Sequence, residues 1–400
     1  MRFAVTKACG GGSSGGKARA GVLYIAGAVI ETPSLLLSTR KGLPAFVPRD
    51  LLSALPSPGS HLLHVSPIHF MECPASETIS NIGGLHQMLG LQQHILVAAA
   101  SDSVESLPES ESTNKLGASF ETPCGRLLVK PAKYMEMISS MKPNMWASLA
   151  DEVPAWVPEK RNATSVDRTL RWLDDCLAMG MKAGIDTLGA IVGGSSIEER
   201  KRCAKEVSRR NVSGYWIGGF GLGESSEERS DLLNAVTDCL PEEKLRFVSR
   251  LSLPEVLQGV AAGIDLFDST YIYHLTLGGL ALVFPLDILE RDSWDSHLHY
   301  DGGDCTKINL RATIYMKDTS PIVDNCSCFT CQNHTRAYIN HLLNVHEMLA
   351  QILLEIHNTH HYLGFFHSLR EAIKGGKFQV FRQQFIDGRR SLLTTAVACS

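Results

Sequence analysis

Residues 187–217 read TLGAIV (187–192), a charged run of helical length, IEERKRCAKEVSR (197–209), and then GYWI (214–217). An apolar run of four to six residues, a charged amphipathic segment and a second apolar run make one strand-helix-strand unit. The pattern continues in both directions. Upstream, residues 166–179 have helical spacing. Downstream, 226–239 reads as a helix with Ser226 as N-cap, 245–251 as a strand, 254–262 as a helix and 264–267 as a strand. Repeated units of this length specify an α/β fold with a parallel sheet that is closed or flanked by helices. The first choice is a (β/α)8 TIM-like barrel, the second an open doubly wound sheet. In a barrel, functional residues lie just beyond the strands, at the carboxyl-terminal face. Asp151-Glu152, Gly218-Gly219 and Asp268 occupy such positions and are expected to converge on one pocket.

Composition bounds what surrounds this unit. A chain of 400 residues, 44% hydrophobic and 20% charged, can bury a sizeable core. The formal charge of −4 supplies no whole-chain attraction to RNA, so any RNA contact needs a local basic face or a more basic partner. Apart from one cluster, the 11 cysteines are scattered, which suits a reducing, cytoplasmic compartment better than a disulfide framework. The apolar run at 21–30 leads into Glu31-Thr32-Pro33 without a cleavage pattern, and no stretch approaches the roughly 20 apolar residues of a membrane span. Residues 10–16 (GGGSSGG) and 101–114 read as loops, and 290–304 as a surface insertion. The match of 11–17 to GxxxxGK lacks both a preceding strand and a hydroxyl at Ala18, which excludes a nucleotide loop.

NCSCFTC (325–331) places Cys326, Cys328 and Cys331 together. Thiolates are natural ligands of tetrahedral zinc, and a disulfide between neighbours this close would be strained. A fourth ligand must come from His334, His341, His346, His357, His360 or His361. Residues 335–343 read as a helix leaving the cysteines and 346–357 as one returning, with a turn at Asn344-Val345. At 1.5 Å per residue the two legs are similar in length, which brings His357 back beside the thiols. His341 and His346 fall at the far end, and His334 is the competitor. A closed Cys3His shell has no open position, so one structural zinc per chain is expected, stabilising the fold rather than doing chemistry.

Together, the Cys-x-Cys-x-x-Cys run, His357-Asn358 beyond it and TRAYINHL (335–342) between them resemble the zinc subdomain of tRNA-guanine transglycosylases. GGFGLGE (218–224) is similar to that family's GGLAVGE base-binding loop, and GIDLFD (263–268) matches the segment carrying its nucleophile. The resemblance spans roughly residues 120–380. It implies one barrel domain over 1–400 with a zinc subdomain at about 322–370, and exchange of a tRNA anticodon guanine for queuine or its precursor. By position, Asp268 would attack the ribose carbon, Asp151 would bind the purine edge, and the Gly218-Gly219 backbone would meet the base.

The departures from the family pattern shape this expectation. Where active members carry SDSGGFQ, this chain has SDSVES (101–106). Val192 stands where a glutamine reads the base, and valine has no side-chain donor or acceptor. After Asp268 the chain reads STYIYHL (269–275), without the arginines expected to hold tRNA phosphate. The pattern resembles the non-catalytic branch of the family, whose members pair with a catalytic homologue and reach tRNA through that complex. Asp268 and Asp151 are then vestigial, with Gly218 and Gly219 the remnant of the base pocket. The alternative is an active transglycosylase that uses Asp268.

Overall fold

A computed structural model describes residues 1–8, 16–102, 104, 107–180, 185–290 and 305–397, with side chains to 389. The glycine-serine segment at 10–16 falls almost wholly outside these residues, as does all but the first residue of the insertion at 290–304. The described chain forms two compact units, Met1–Pro44 with His61–Thr270, and Ala45–Ser60 with Tyr271–Ser400.

The first unit contains a closed parallel barrel. Its strands, numbered here by their place in the barrel, are β1 (Ser34–Ser38), β2 (Leu62–Val65), β3 (Ile95–Ala98), β4 (Met145–Ala147), β5 (Asp186–Ile191), β6 (Gly214–Ile217), β7 (Leu245–Val248) and β8 (Leu266–Asp268). Each pairs with its chain neighbours, and β8 closes on β1 with Leu266 opposite Ser34 and Asp268 opposite Leu36. The open-sheet alternative is thereby set aside. Every residue of β6 and β7 is buried, which explains why β6 reads as an unbroken apolar run, while β7 carries the buried Arg246 among its apolar residues.

Helices Glu159–Gly180, Ile197–Ser208, Ser226–Thr237 and Leu253–Ala261 alternate with β4 to β8. Their starts are set by local chemistry. Ser225 caps the third helix through a capping box with Glu228, one residue earlier than the expected Ser226. Of two adjacent serines, the one with a glutamate three residues on satisfies two orphan amides, and that decides the boundary. Ser252 and Glu255 repeat the device at Leu253–Ala261.

The reading of 101–114 as a loop is corrected for its second half. Leu107–Asn114 pairs with Gly117–Thr122, which pairs with Gly125–Val129, giving an antiparallel sheet between β3 and β4. A second such sheet (Arg2–Ala8, Arg19–Ile25, Ala28–Thr32) precedes β1. At the barrel's amino-terminal side, Arg19 makes a bidentate pair with buried Asp265, at 2.9 and 2.6 Å.

In the second unit, Leu280–Leu282 pairs with Lys307–Asn309, and helices Phe329–Asn333, Arg336–Asn344, Leu349–Lys374 and Phe378–Val397 follow. A small apolar core of Ala281, Ile308, Leu310, Ile322, Ile339, Leu343 and Leu353 sits among them. The returning helix starts at Leu349 rather than His346, whose φ of 60° is left-handed and incompatible with a helix interior. It also runs on to Lys374, well past His357.

Candidate functional site

The ends of β3, β4, β6, β7 and β8 bring together Ser101, Glu152, Gly219, Arg250 and Asp268. Glu152 is the hub. One carboxylate oxygen accepts from the Ser101 hydroxyl at 2.5 Å, and the other accepts from the Gly219 N–H at 2.7 Å and from Arg250 Nη1 at 3.3 Å. Asp268, fully enclosed, accepts from the Arg250 N–H at 3.1 Å and from the Thr270 hydroxyl at 2.9 Å. Burial outweighs these bonds and pushes its carboxyl up to about 6. His64, at the end of β2, is also enclosed, and burial lowers its imidazole to about 4.

The glycine loop is held from below. Arg200, fully buried and stacked at 4.1 Å on the Phe220 ring, donates to the Gly218 and Gly219 carbonyls at 3.1 and 2.9 Å. Glu224 accepts from the Gly221 and Leu222 N–H groups at 2.6 and 3.0 Å, folding the GGFGLGE turn on itself. Gly219 needs its left-handed φ of 71° to aim its N–H at Glu152.

Asp151 lies apart from this group. Arg161 donates to both of its oxygens at 2.8 Å, and Arg168 donates at 3.0 Å. Both arginines stand on the helix that follows, so the carboxylate fastens that helix to the end of β4. Val192 is buried and offers its N–H to the Cys203 sulfur at 3.5 Å. Asp102 lies 2.8 Å from His69 Nε2 and accepts from the Val104 N–H at 2.7 Å.

Sequence reasoning singled out Asp151-Glu152, Gly218-Gly219 and Asp268 but passed over Arg250. An arginine two residues beyond a strand carries no motif, and its position became visible only with the barrel closed.

The cysteine cluster lies in the second unit. The sulfurs of Cys326, Cys328 and Cys331 are 4.0, 3.6 and 3.3 Å from His357 Nδ1, and all four donor atoms lie within 4.8 Å of one another. Tetrahedral zinc with bonds of about 2.3 Å to sulfur and 2.0–2.1 Å to nitrogen separates sulfur from nitrogen by roughly 3.6 Å, so the set has the right dimensions. His357 is prepared for the task. Its Nε2 lies 2.8 Å from the Leu282 carbonyl, which fixes the proton there and leaves the Nδ1 lone pair facing the thiols. Asn358 accepts from the Leu282 N–H and donates to the Leu280 carbonyl, holding this turn of helix against the strand.

Of the other histidines, His360 lies beside the thiol loop, its Nε2 3.4 Å from the Ser327 hydroxyl oxygen, but outside the four-donor set. His334 stacks on Tyr338 with ring centroids 5.4 Å apart, His341 and His346 are exposed, and His361 Nε2 lies 2.8 Å from the Phe284 carbonyl. This group can hold a metal ion, with no position left for a substrate.

The family model described as queuine tRNA-ribosyltransferase matches residues 14–391. The chain belongs to that family. Within the queuine tRNA-ribosyltransferase family it is similar to the Homo sapiens protein named queuine tRNA-ribosyltransferase accessory subunit 2, with 34% identity over 380 residues, 84% of this chain and 91% of the relative. The Gallus gallus protein of the same name is 30% identical over 426 residues, covering 96% of this chain and 97% of its own length. That of Trichoplax adhaerens is 32% identical over 382 residues, 93% of this chain and 97% of the relative. Among the described residues, no helix is long and apolar enough to cross a membrane.

Proposed function

We propose that this chain is the non-catalytic subunit of a two-subunit queuine tRNA-ribosyltransferase. It pairs with a catalytic homologue and supports exchange of guanine for queuine at the wobble position, 34, of tRNAs with GUN anticodons. The names of its relatives motivate the pairing. The observation that carries the non-catalytic reading is the state of the base pocket: the Gly218-Gly219 loop, Glu152 and Asp268 satisfy one another and buried arginines, while Val192 brings no side-chain polar group.

A nucleophile needs an open carboxylate, whereas Asp268 is enclosed and accepts from the Arg250 N–H and the Thr270 hydroxyl. Cys326, Cys328, Cys331 and His357 hold one structural zinc, which cross-links the thiol loop to the long helix. Exposed Ile314, Met316, Phe329, Tyr338 and Met348 lie on the same unit and supply apolar surface for the partner. The reducing, cytoplasmic compartment inferred from the free cysteines suits this assignment.

Asp268 still ends its strand with a carboxylate, which keeps an active transglycosylase as the second reading. Subunit mixing separates the two. Labelled queuine enters tRNA only when the catalytic homologue is added, and Asp268→Ala leaves that rate unchanged. Incorporation by the isolated chain that Asp268→Ala abolishes would establish the second reading instead.

A further inference from the structure

Nine cysteines fall among the described residues, and two of them, Cys73 and Cys124, are exposed. Both line one cavity of about 180 Å³. They reach it from separate parts of the first unit. Cys124 stands in the two-residue turn Pro123-Cys124 that joins Gly117–Thr122 to Gly125–Val129. The Thr122 hydroxyl closes that turn by donating to the Gly125 carbonyl at 2.8 Å. Cys73 comes from the segment just beyond Pro67–Phe70, the short helical turn after β2. Arg40 and Lys41, which follow β1, line the same cavity together with His69 and Glu72. The Asp102 carboxylate lies 2.8 Å from the His69 imidazole and is not part of the wall. Two cations against one carboxylate therefore surround the two thiols.

Reactive cysteines sit in accessible, electropositive surroundings, and a positively charged cleft concentrates anions. A small anionic disulfide brings both the matching charge and a sulfur that a thiolate can attack. The cavity has room for on the order of ten waters, enough to admit the sulfur-bearing end of such a molecule. We propose that it is a thiol-modification site for anionic disulfides of the glutathione class. One of the two thiols loses its proton and attacks a sulfur of the incoming disulfide. A protein–ligand S–S bond forms, the ligand's own S–S bond breaks, and the departing thiolate takes up the proton. The second thiol then attacks the mixed disulfide from the same cavity, forming a Cys73–Cys124 bond and releasing the second small thiol. Two electrons pass from the cysteine pair to the ligand, which leaves as two thiols. The bond ties the hairpin tip to the segment after β2, beside the His69–Asp102 contact.

Treating the reduced, zinc-supplied full chain with glutathione disulfide and following it by intact mass and peptide mapping tests this. Wild type is expected to end with a Cys73–Cys124 link and no retained glutathione, while partly buried Cys239 stays reduced. Cys73→Ser is expected to stop at a stable glutathione adduct on Cys124, and Cys124→Ser at one on Cys73. Replacing both cations, Arg40→Gln with Lys41→Gln, should slow the reaction with glutathione disulfide about 10-fold at low salt and leave that with uncharged 2-hydroxyethyl disulfide unchanged. Wild type that ends with separate adducts on the two thiols, or with neither thiol modified, would overturn the proposal. So would a doubly neutralised variant that reacts with glutathione disulfide as fast as wild type.

Discussion

Replacing His357 by alanine should dismantle the second unit locally. The side chain is wholly buried, and its removal strips one metal ligand, leaves the Leu282 carbonyl without its donor and opens a cavity beside His361. The orphaned carbonyl alone costs about 1–3 kcal/mol. Structural zinc contributes about 10–16 kcal/mol to small peptides that fold around it, so even a third of that exceeds about 3 kcal/mol. The combined loss, roughly 5 kcal/mol, equals the whole stability of a marginal domain. Metal content by mass spectrometry should fall from one zinc per chain to well below, and amide exchange should accelerate across Phe329–Asn344 and the first turns of Leu349–Lys374. His334→Ala should keep its zinc, because that ring stacks on Tyr338 rather than facing the thiols. Zinc retained by His357→Ala with unchanged exchange, or lost by His334→Ala, would refute this ligand assignment.

Other outcomes follow from the barrel's buried charges. The Asp268 carboxyl titrates near 6 when folded, above its ordinary 3.8, so the folded state binds the extra proton between those values. Stability from this group is present below about pH 4 and is lost as pH rises through 6, a difference of about 3 kcal/mol. Urea titrations at pH 4.5 and 7.5 should show Asp268→Asn gaining on wild type at the higher pH, and a pH-independent difference would contradict the enclosure. Asp265→Ala leaves Arg19 buried without its bidentate partner and should cost about 3–5 kcal/mol in chemical denaturation. Asp151→Ala frees two partly buried arginines, 24% and 19% exposed, and should cost less, about 1–3 kcal/mol, without altering queuine incorporation by the subunit pair.

How much of this was legible in the sequence depended on the kind of signal each element carries. The run from 187 to 268 was readable because buried parallel strands are short apolar runs and the intervening helices are charged on one side. Leu107–Asn114 was not. Its Pro, Glu and Ser residues have no apolar period, since the strand belongs to a small sheet with much of its surface in solvent. At the third of these helices Ser226 was the expected cap, and the reciprocal bonds between Ser225 and Glu228 move the boundary one residue earlier. His357 was selected by helix length alone, and the geometry agrees because the return leg brings its ring back to the thiols even though that helix starts three residues later than expected. Asp151 and Glu152 look equivalent in sequence. The structure turns the first outward to Arg161 and Arg168 and the second inward to Gly219, a distinction set by backbone direction at the end of β4.

The most direct test of the non-catalytic assignment is to trap the covalent RNA intermediate in a mixture of this chain with its catalytic homologue and substrate tRNA, then weigh each subunit. All of the RNA is expected on the homologue, in the same amount with wild type and with Asp268→Ala. An RNA adduct on this chain that Asp268→Ala removes would contradict the assignment outright.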